Sequence, residues 1–216
     1  MKRRVPALLA ASALALGAVQ ATAPAANAVP ATQKATGEDS LAGLLLSDND
    51  EFDNNKNDFD ILTQAALAVV TAKPDSPVAL VTDGSKRLTV FAPTDQAFRK
   101  LAQDLTGTKI RSEKKIFDTL VAAAGVDTIE QILLYHVIPG KTLTSAKVLK
   151  ANGAKLTTAE GSKIKVRVKM NPISVTLKDR DKNAEDAQAI LKALDLNKGN
   201  KQIAHGIDRV MRPFDL

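Results

Sequence analysis

Cysteine and tryptophan are absent from the 216 residues, tyrosine occurs once, and aromatic residues make up 3% of the chain. Without cysteine the chain can form no disulfide, carry no thiol nucleophile and take no lipid on an N-terminal cysteine, so packing alone must hold the fold. Histidine is nearly as scarce, with only His136 and His205. Catalytic signatures are lacking too: there is no Gly-x-Ser-x-Gly, no His-Glu-x-x-His and no phosphate-cradling glycine loop. Nothing in the sequence pairs either histidine with a nucleophile or a carboxylate dyad, so no catalytic site is expected, and no metal or cofactor. Beyond the N-terminus no apolar run reaches membrane-spanning length.

What is present begins with export. Lys2, Arg3 and Arg4 precede an apolar, alanine-rich run from Leu8 to Val19, followed by Ala26-Asn27-Ala28. A basic start, a short apolar run and a small-x-small site make a signal peptide pattern, so residues 1–28 are expected to be cleaved off after Ala28. The remaining 188 residues are then secreted, with no stable membrane anchor. Losing those three cations takes the net charge from +6 to +3, too mild a balance for a nucleic-acid partner. Residues 29–39 are small and polar and read as a flexible leader. Residues 40–216 suit one domain.

Within that domain the apolar spacing changes from helical to alternating. Ser40 is placed to cap a short helix carrying Leu41, Leu44 and Leu45. Ile61, Leu62, Ala65, Ala66, Val69 and Val70 share one helical face, closed by Pro74 and Pro77. A short strand is expected at Leu88–Phe91, and Thr94 can then cap a helix presenting Ala97, Phe98, Leu101 and Leu105. Ser112 starts another helix that Gly125 ends, and Asp127 opens a shorter helical turn with Ile129, Ile132 and Leu133. Lys163–Met170 alternates strictly between basic and apolar residues, which predicts a strand, and Ile173–Leu177 beyond Asn171-Pro172 is its hairpin partner. A helix carrying Ala187, Ile190, Leu191 and Leu194 and a closing strand over Ile203–Met211 complete the pattern. Helices gather in the first half and strands in the second, which is an α+β arrangement.

Three segments, in order, resemble the fasciclin-type (FAS1) domain family. They are Thr89-Val-Phe91-Ala-Pro93-Thr-Asp95-Gln-Ala97-Phe98, Leu133-Leu-Tyr135-His136-Val-Ile138-Pro139-Gly140, and His205-Gly-Ile207-Asp208-Arg209-Val210-Met-Arg-Pro213. The resemblance implies a β-sandwich-like wedge of two sheets with helices packed along one edge, and a role in adhesion and matrix binding without catalysis. Two departures stand out. Gly206 occupies a position where the family usually has a β-branched residue, which should loosen that strand, and a helix-like insert over Ala184–Leu196 precedes it.

The rare side chains Tyr135, His136 and His205 all fall inside these segments. Tyr135 and His136 have two readings: a partner-contact surface, as animal members of the family use the segment for integrin binding, or partly buried groups bonded to the backbone. Asp95, one residue beyond Thr94, reads as a helix-end stabiliser, and Asp208 as a bond to a neighbouring loop. Lys163, Lys165, Arg167 and Lys169 project to one side of a strand at about 6.8 Å intervals. Such a row can dock a polyanionic wall polymer or sulfated glycan, or it can simply be a solvated face that discourages edge aggregation. The acidic stretch Asp48–Asp58 does not make a calcium loop of the EF-hand type, because Asp58 stands where glycine is needed and Gln64 where a bidentate glutamate is needed. The expected partner is an extracellular protein or a cell-surface polyanion or glycan. The competing functions are a carrier or sensor of an apolar small molecule, which requires a deep apolar pocket, and a secreted hydrolase, which requires a water-exposed histidine beside a carboxylate.

Overall fold

The computed structural model describes residues 37–47 and 52–215, so the expected signal peptide and most of the leader lie outside the described residues. The chain opens with α1 (Leu41–Leu45), where the Ser40 hydroxyl caps the helix by accepting from the Gly43 N–H at 3.0 Å. Then come α2 (Asp60–Ala72), a 3-10 turn (Pro77–Thr82), β1 (Leu88–Pro93) and α3 (Asp95–Thr106). Next are α4 (Glu113–Tyr135), β2 (Val137–Pro139), α5 (Ser145–Leu149) and β3 (Lys155–Thr157). The hairpin β4 (Lys163–Met170) and β5 (Ile173–Lys178), the short β6 (Ala187–Gln188) and β7 (Gln202–Ile207) follow.

The strands form two sheets. In the first, β1 lies between antiparallel β2 and parallel β7; the second is an antiparallel run in the order β3-β4-β5-β6. Every residue of β1 and of β7 is buried, because helices cover one side of their sheet and the second sheet covers the other. Leu88, Val90 and Ala92 of β1 enter a core shared with α2, α3 and α4, while Phe91 enters a second core with Ile164, Val166, Val175 and Leu177. A strand buried on both sides reads as an unbroken apolar run, whereas β4 has one solvated face and alternates. Two sheets sandwiching a core, with helices against one of them, make an α+β sandwich of the kind the resemblance implied.

Three elements differ from expectation, one of them the closing strand, which is a strand over Gln202–Ile207 and not as far as Met211. The Ala184–Leu196 segment is not a helix: Ala187 and Gln188 pair with β5, Leu191–Ala193 is a single 3-10 turn, and Asp195 and Asn197 take positive φ of 58° and 63°. Its helical spacing of Ala187, Ile190, Leu191 and Leu194 loses to two open sheet edges that can satisfy its backbone. Ile190 N–H donates to Gly206 at 2.8 Å, and Leu196 and Ala204 exchange N–H···O bonds at 2.9 and 3.0 Å. The helix broken at Gly125 (φ 70°, ψ 165°) resumes and continues through Tyr135, further than the sequence pattern indicated.

The two departures from the family pattern account for each other. A Cβ on Gly206 would sit 2.6 Å from Cβ of Ala193, so glycine lets the 3-10 turn lie directly on β7. The strand is not loosened there; its six-residue pairing with β1 runs through Gly206 without a break.

Candidate functional site

Tyr135 and His136 point inward, at 0% and 1% exposure. His136 follows the last residue of α4, and both ring nitrogens are engaged: Nδ1–H donates to the Ile132 carbonyl at 2.7 Å and Nε2 accepts from the Met211 N–H at 2.9 Å. That pattern fixes a neutral tautomer, and burial holds the imidazole down at about 4. The phenol of Tyr135 is different, since its hydroxyl is buried and makes no close hydrogen bond among the described residues, with only the Arg180 N–H nearby as a backbone donor, and burial pushes it well above the ordinary tyrosine range. Neither side chain reaches the surface, so these two groups do not form the contact surface that one reading gave them.

His205 is also fully buried. Its Nδ1 accepts from the Asp195 N–H at 3.2 Å and its Nε2–H donates to the Leu143 carbonyl at 2.6 Å, while burial lowers its pKa. Neither histidine is open to water beside a carboxylate, which is the arrangement a histidine-based hydrolase needs.

Asp95 stabilises a helix end, but of a different helix from its own. Its carboxyl oxygens accept from the N–H groups of Asp60 and Ile61 at 3.3 and 2.9 Å, capping α2, whose own N-cap residue Phe59 offers no side-chain bond. Thr94 sits at the N-cap of α3 without a side-chain cap bond, and its N–H donates to Ile207 at 3.2 Å. Burial foremost, then Asp58, raises the Asp95 pKa far above the carboxylate range. The retained proton has an acceptor at hand, because Oδ1 of Asp58 is buried and takes no other hydrogen bond among the described residues. Asp208 ties three elements together: Oδ1 accepts from Gln188 N–H at 2.7 Å, and Lys100 of α3 reaches Oδ2 at 3.3 Å.

Carboxylate oxygens of Asp53, Asp58 and Asp60, and of Asp58, Asp95 and Glu113, each gather within 4.8 Å. Structural bonds engage part of this set: Asp60 accepts from Asp53 N–H, and Glu113 accepts from Asn54 N–H and from the Arg99 guanidinium, both at 2.7 Å. Asp58, common to both groups, differs, since its buried Oδ1 takes no hydrogen bond among the described residues apart from the Asp95 proton.

Lys163, Lys165, Arg167 and Lys169 all lie exposed on the outer face of β4, as its alternation dictates. The register enlarges this patch beyond the strand. Lys165 is directly opposite Lys155 of β3 on one side and Lys178 of β5 on the other, so three lysines stand abreast. Neighbouring strands lie about 4.8 Å apart, so this crosswise row of three lysines meets the line of four cations along β4 at Lys165. Lys178 has an ion pair with Asp186 at 3.4 Å; the other five have none among the described residues. Lys155 and Lys178 escaped sequence reasoning because only strand register brings them there, although Lys178 ends the alternating segment of β5.

A second feature lies at the opposite, helical side of the first sheet. A cavity of about 480 Å³ opens beneath α1, floored by Leu62, Val78, Val90 and Leu133. Helix α1 is fastened over it by the buried Gln202 of β7, whose Oε1 accepts from Leu41 N–H at 2.8 Å while its Nε2 donates to the Leu80 and Asp83 carbonyls. A lone glutamine in an apolar strand was the signal in the sequence for this clasp, and it was missed.

A sequence model of the Fasciclin domain matches residues 62–213. No curated protein matches the chain. Among solved structures, a FAS1 domain pair from the insect cell adhesion molecule fasciclin I is similar over 82% of this chain and 51% of its own, with a TM-score of 0.54 and 17% identity. The chain thus spans about half the length of that pair, and at such identity the likeness speaks for the fold alone. With the match covering most of the domain and the sandwich in place, the chain belongs to the fasciclin domain family.

Proposed function

We propose that this protein is an exported, non-catalytic binding module that adheres to a polyanion outside the cell through the outer face of β3, β4 and β5. The observation that carries this reading is the row Lys155–Lys165–Lys178. Like charges directly opposite in a sheet are destabilising, and alternating signs would serve solubility equally well, so folding gives no reason for such a row. A polyanion with repeating phosphates or sulfates supplies counter-charge along β4 and across this row, of which only Lys178 has an ion partner among the described residues. Export rests on the Lys2–Ala28 signal pattern, and adhesion on membership of the fasciclin domain family.

The test is retention of residues 29–216 on immobilised sulfated glycan and on phosphate-rich wall polymer. Retention that disappears when Lys163, Lys165, Arg167 and Lys169 are all changed to Gln, with thermal unfolding unchanged, supports the reading. Retention that survives those changes places the contact elsewhere and overturns it.

A further inference from the structure

The cavity beneath α1 is independent of the basic face and has a chemistry of its own. Its volume, about 480 Å³, falls inside the range of about 300–1,000 Å³ typical of small-molecule sites. The wall is chiefly apolar, and its two buried polar liners already have backbone partners, His136 through both ring nitrogens and Asp60 through the Asp53 N–H. Polar groups appear at the outer rim, where Ser47 and Asn57 are exposed and Asp58 is half-buried. No lysine or arginine lines it among the described residues, and both charged liners, Asp58 and Asp60, are acidic.

We propose that this cavity binds one neutral, chiefly aliphatic molecule, its chain against Leu62, Val90 and Leu133 and a hydroxyl or amide head at the Ser47–Asn57 rim. An anionic head finds no compensating cation among the described residues that line the cavity and is opposed by the Asp58 and Asp60 carboxylates. The shape of the fold gives a route of entry. Helix α1 is only five residues long and leaves Leu44 exposed at the rim, so an incoming chain meets apolar surface before it is buried.

The test uses residues 29–216 with Nile red as a neutral fluorescent probe, displaced in parallel by dodecan-1-ol and by dodecanoate below their aggregation limits. The expected result is saturable probe fluorescence, displaced by the alcohol at about tenfold lower concentration than by the carboxylate. Ala66→Phe fills the cavity from α2, and Val81→Phe fills it from the 3-10 turn. Either variant, once circular dichroism shows it folded, is expected to abolish the probe signal, and the alcohol is expected to raise the thermal midpoint of the wild type alone. Absence of saturable probe binding, unchanged binding in a folded filled variant, or equal displacement by the two ligands overturns the proposal. None of these outcomes bears on polyanion binding, which uses the other sheet.

Discussion

Acidification should unfold this protein through His136 in a way that can be read quantitatively. Burial holds its folded pKa at about 4, against an ordinary value of 6.5 in the unfolded chain. Between those values the unfolded state binds a proton that the folded state refuses. Stability therefore rises with pH across this window and is lost as pH falls from 6.5 towards 4, by about 3 kcal/mol in all and about 1.4 kcal/mol per pH unit. His205, also buried with a lowered pKa, acts with the same sign. Asp179, which burial raises to about 6, acts with the opposite sign, so the raw profile mixes several groups. The informative quantity is the difference between the wild type and His136→Gln, measured as urea-unfolding free energy at pH 7, 6, 5 and 4.5. At pH 7 the variant is expected to be less stable by about 1–3 kcal/mol, because one of the two backbone partners loses its bond inside the core. On acidification the gap should narrow and reverse, as the variant has no proton to refuse. Parallel profiles for the two proteins would refute a neutral, buried imidazole.

Other perturbations test the packing. Gly206→Val should cost about 1–3 kcal/mol by pressing on Ala193, and Ala193→Gly should restore part of that loss; a double-mutant cycle with no coupling contradicts the proposed fit. Asp95→Ala should cost about 1–2 kcal/mol as the cap of α2 is lost, while Asp95→Asn should cost less. Because the folded state keeps a proton on Asp95 that the unfolded state releases, wild-type stability falls as pH rises above the ordinary carboxylate range, and Asp95→Asn should remove that fall in urea unfolding. Tyr135→Phe should change thermal stability by less than about 1 kcal/mol, since the hydroxyl it removes is buried and makes no close hydrogen bond among the described residues, with the Arg180 N–H as its nearby backbone donor; a larger loss would mean that this contact is a full hydrogen bond.

Local chemistry made much of the fold legible. Alternation gave β4 its bounds, Lys163–Met170, and its exposed basic face, because a half-buried strand writes its two environments into every second residue. Helical spacing likewise located α2 and α3. Tertiary competition was not legible: the Ala184–Leu196 segment has helical spacing yet pairs at two sheet edges, and nothing within the segment announces those edges. The candidate sites divide along the same line. Lys163 to Lys169 could be read from one strand, but Lys155 and Lys178 join them only through register, and Asp95 serves a helix that begins 35 residues before it. The cavity was open as an alternative but invisible, because a wall drawn from α1, α2, β1, α4 and β7 has no contiguous signature.

The most direct test of the account is the salt dependence of binding to a labelled sulfated oligosaccharide by residues 29–216 and two charge-matched variants. One variant replaces Lys163, Lys165, Arg167 and Lys169 with Gln. The other replaces Lys56, Lys109, Arg111 and Lys115, exposed cations outside the sheet. Fluorescence anisotropy should show saturable wild-type binding that weakens as salt rises, binding lost in the first variant, and binding nearly unchanged in the second. Equal weakening in both variants would mean that net charge, not the basic face of β3, β4 and β5, draws the polyanion, and would contradict the account.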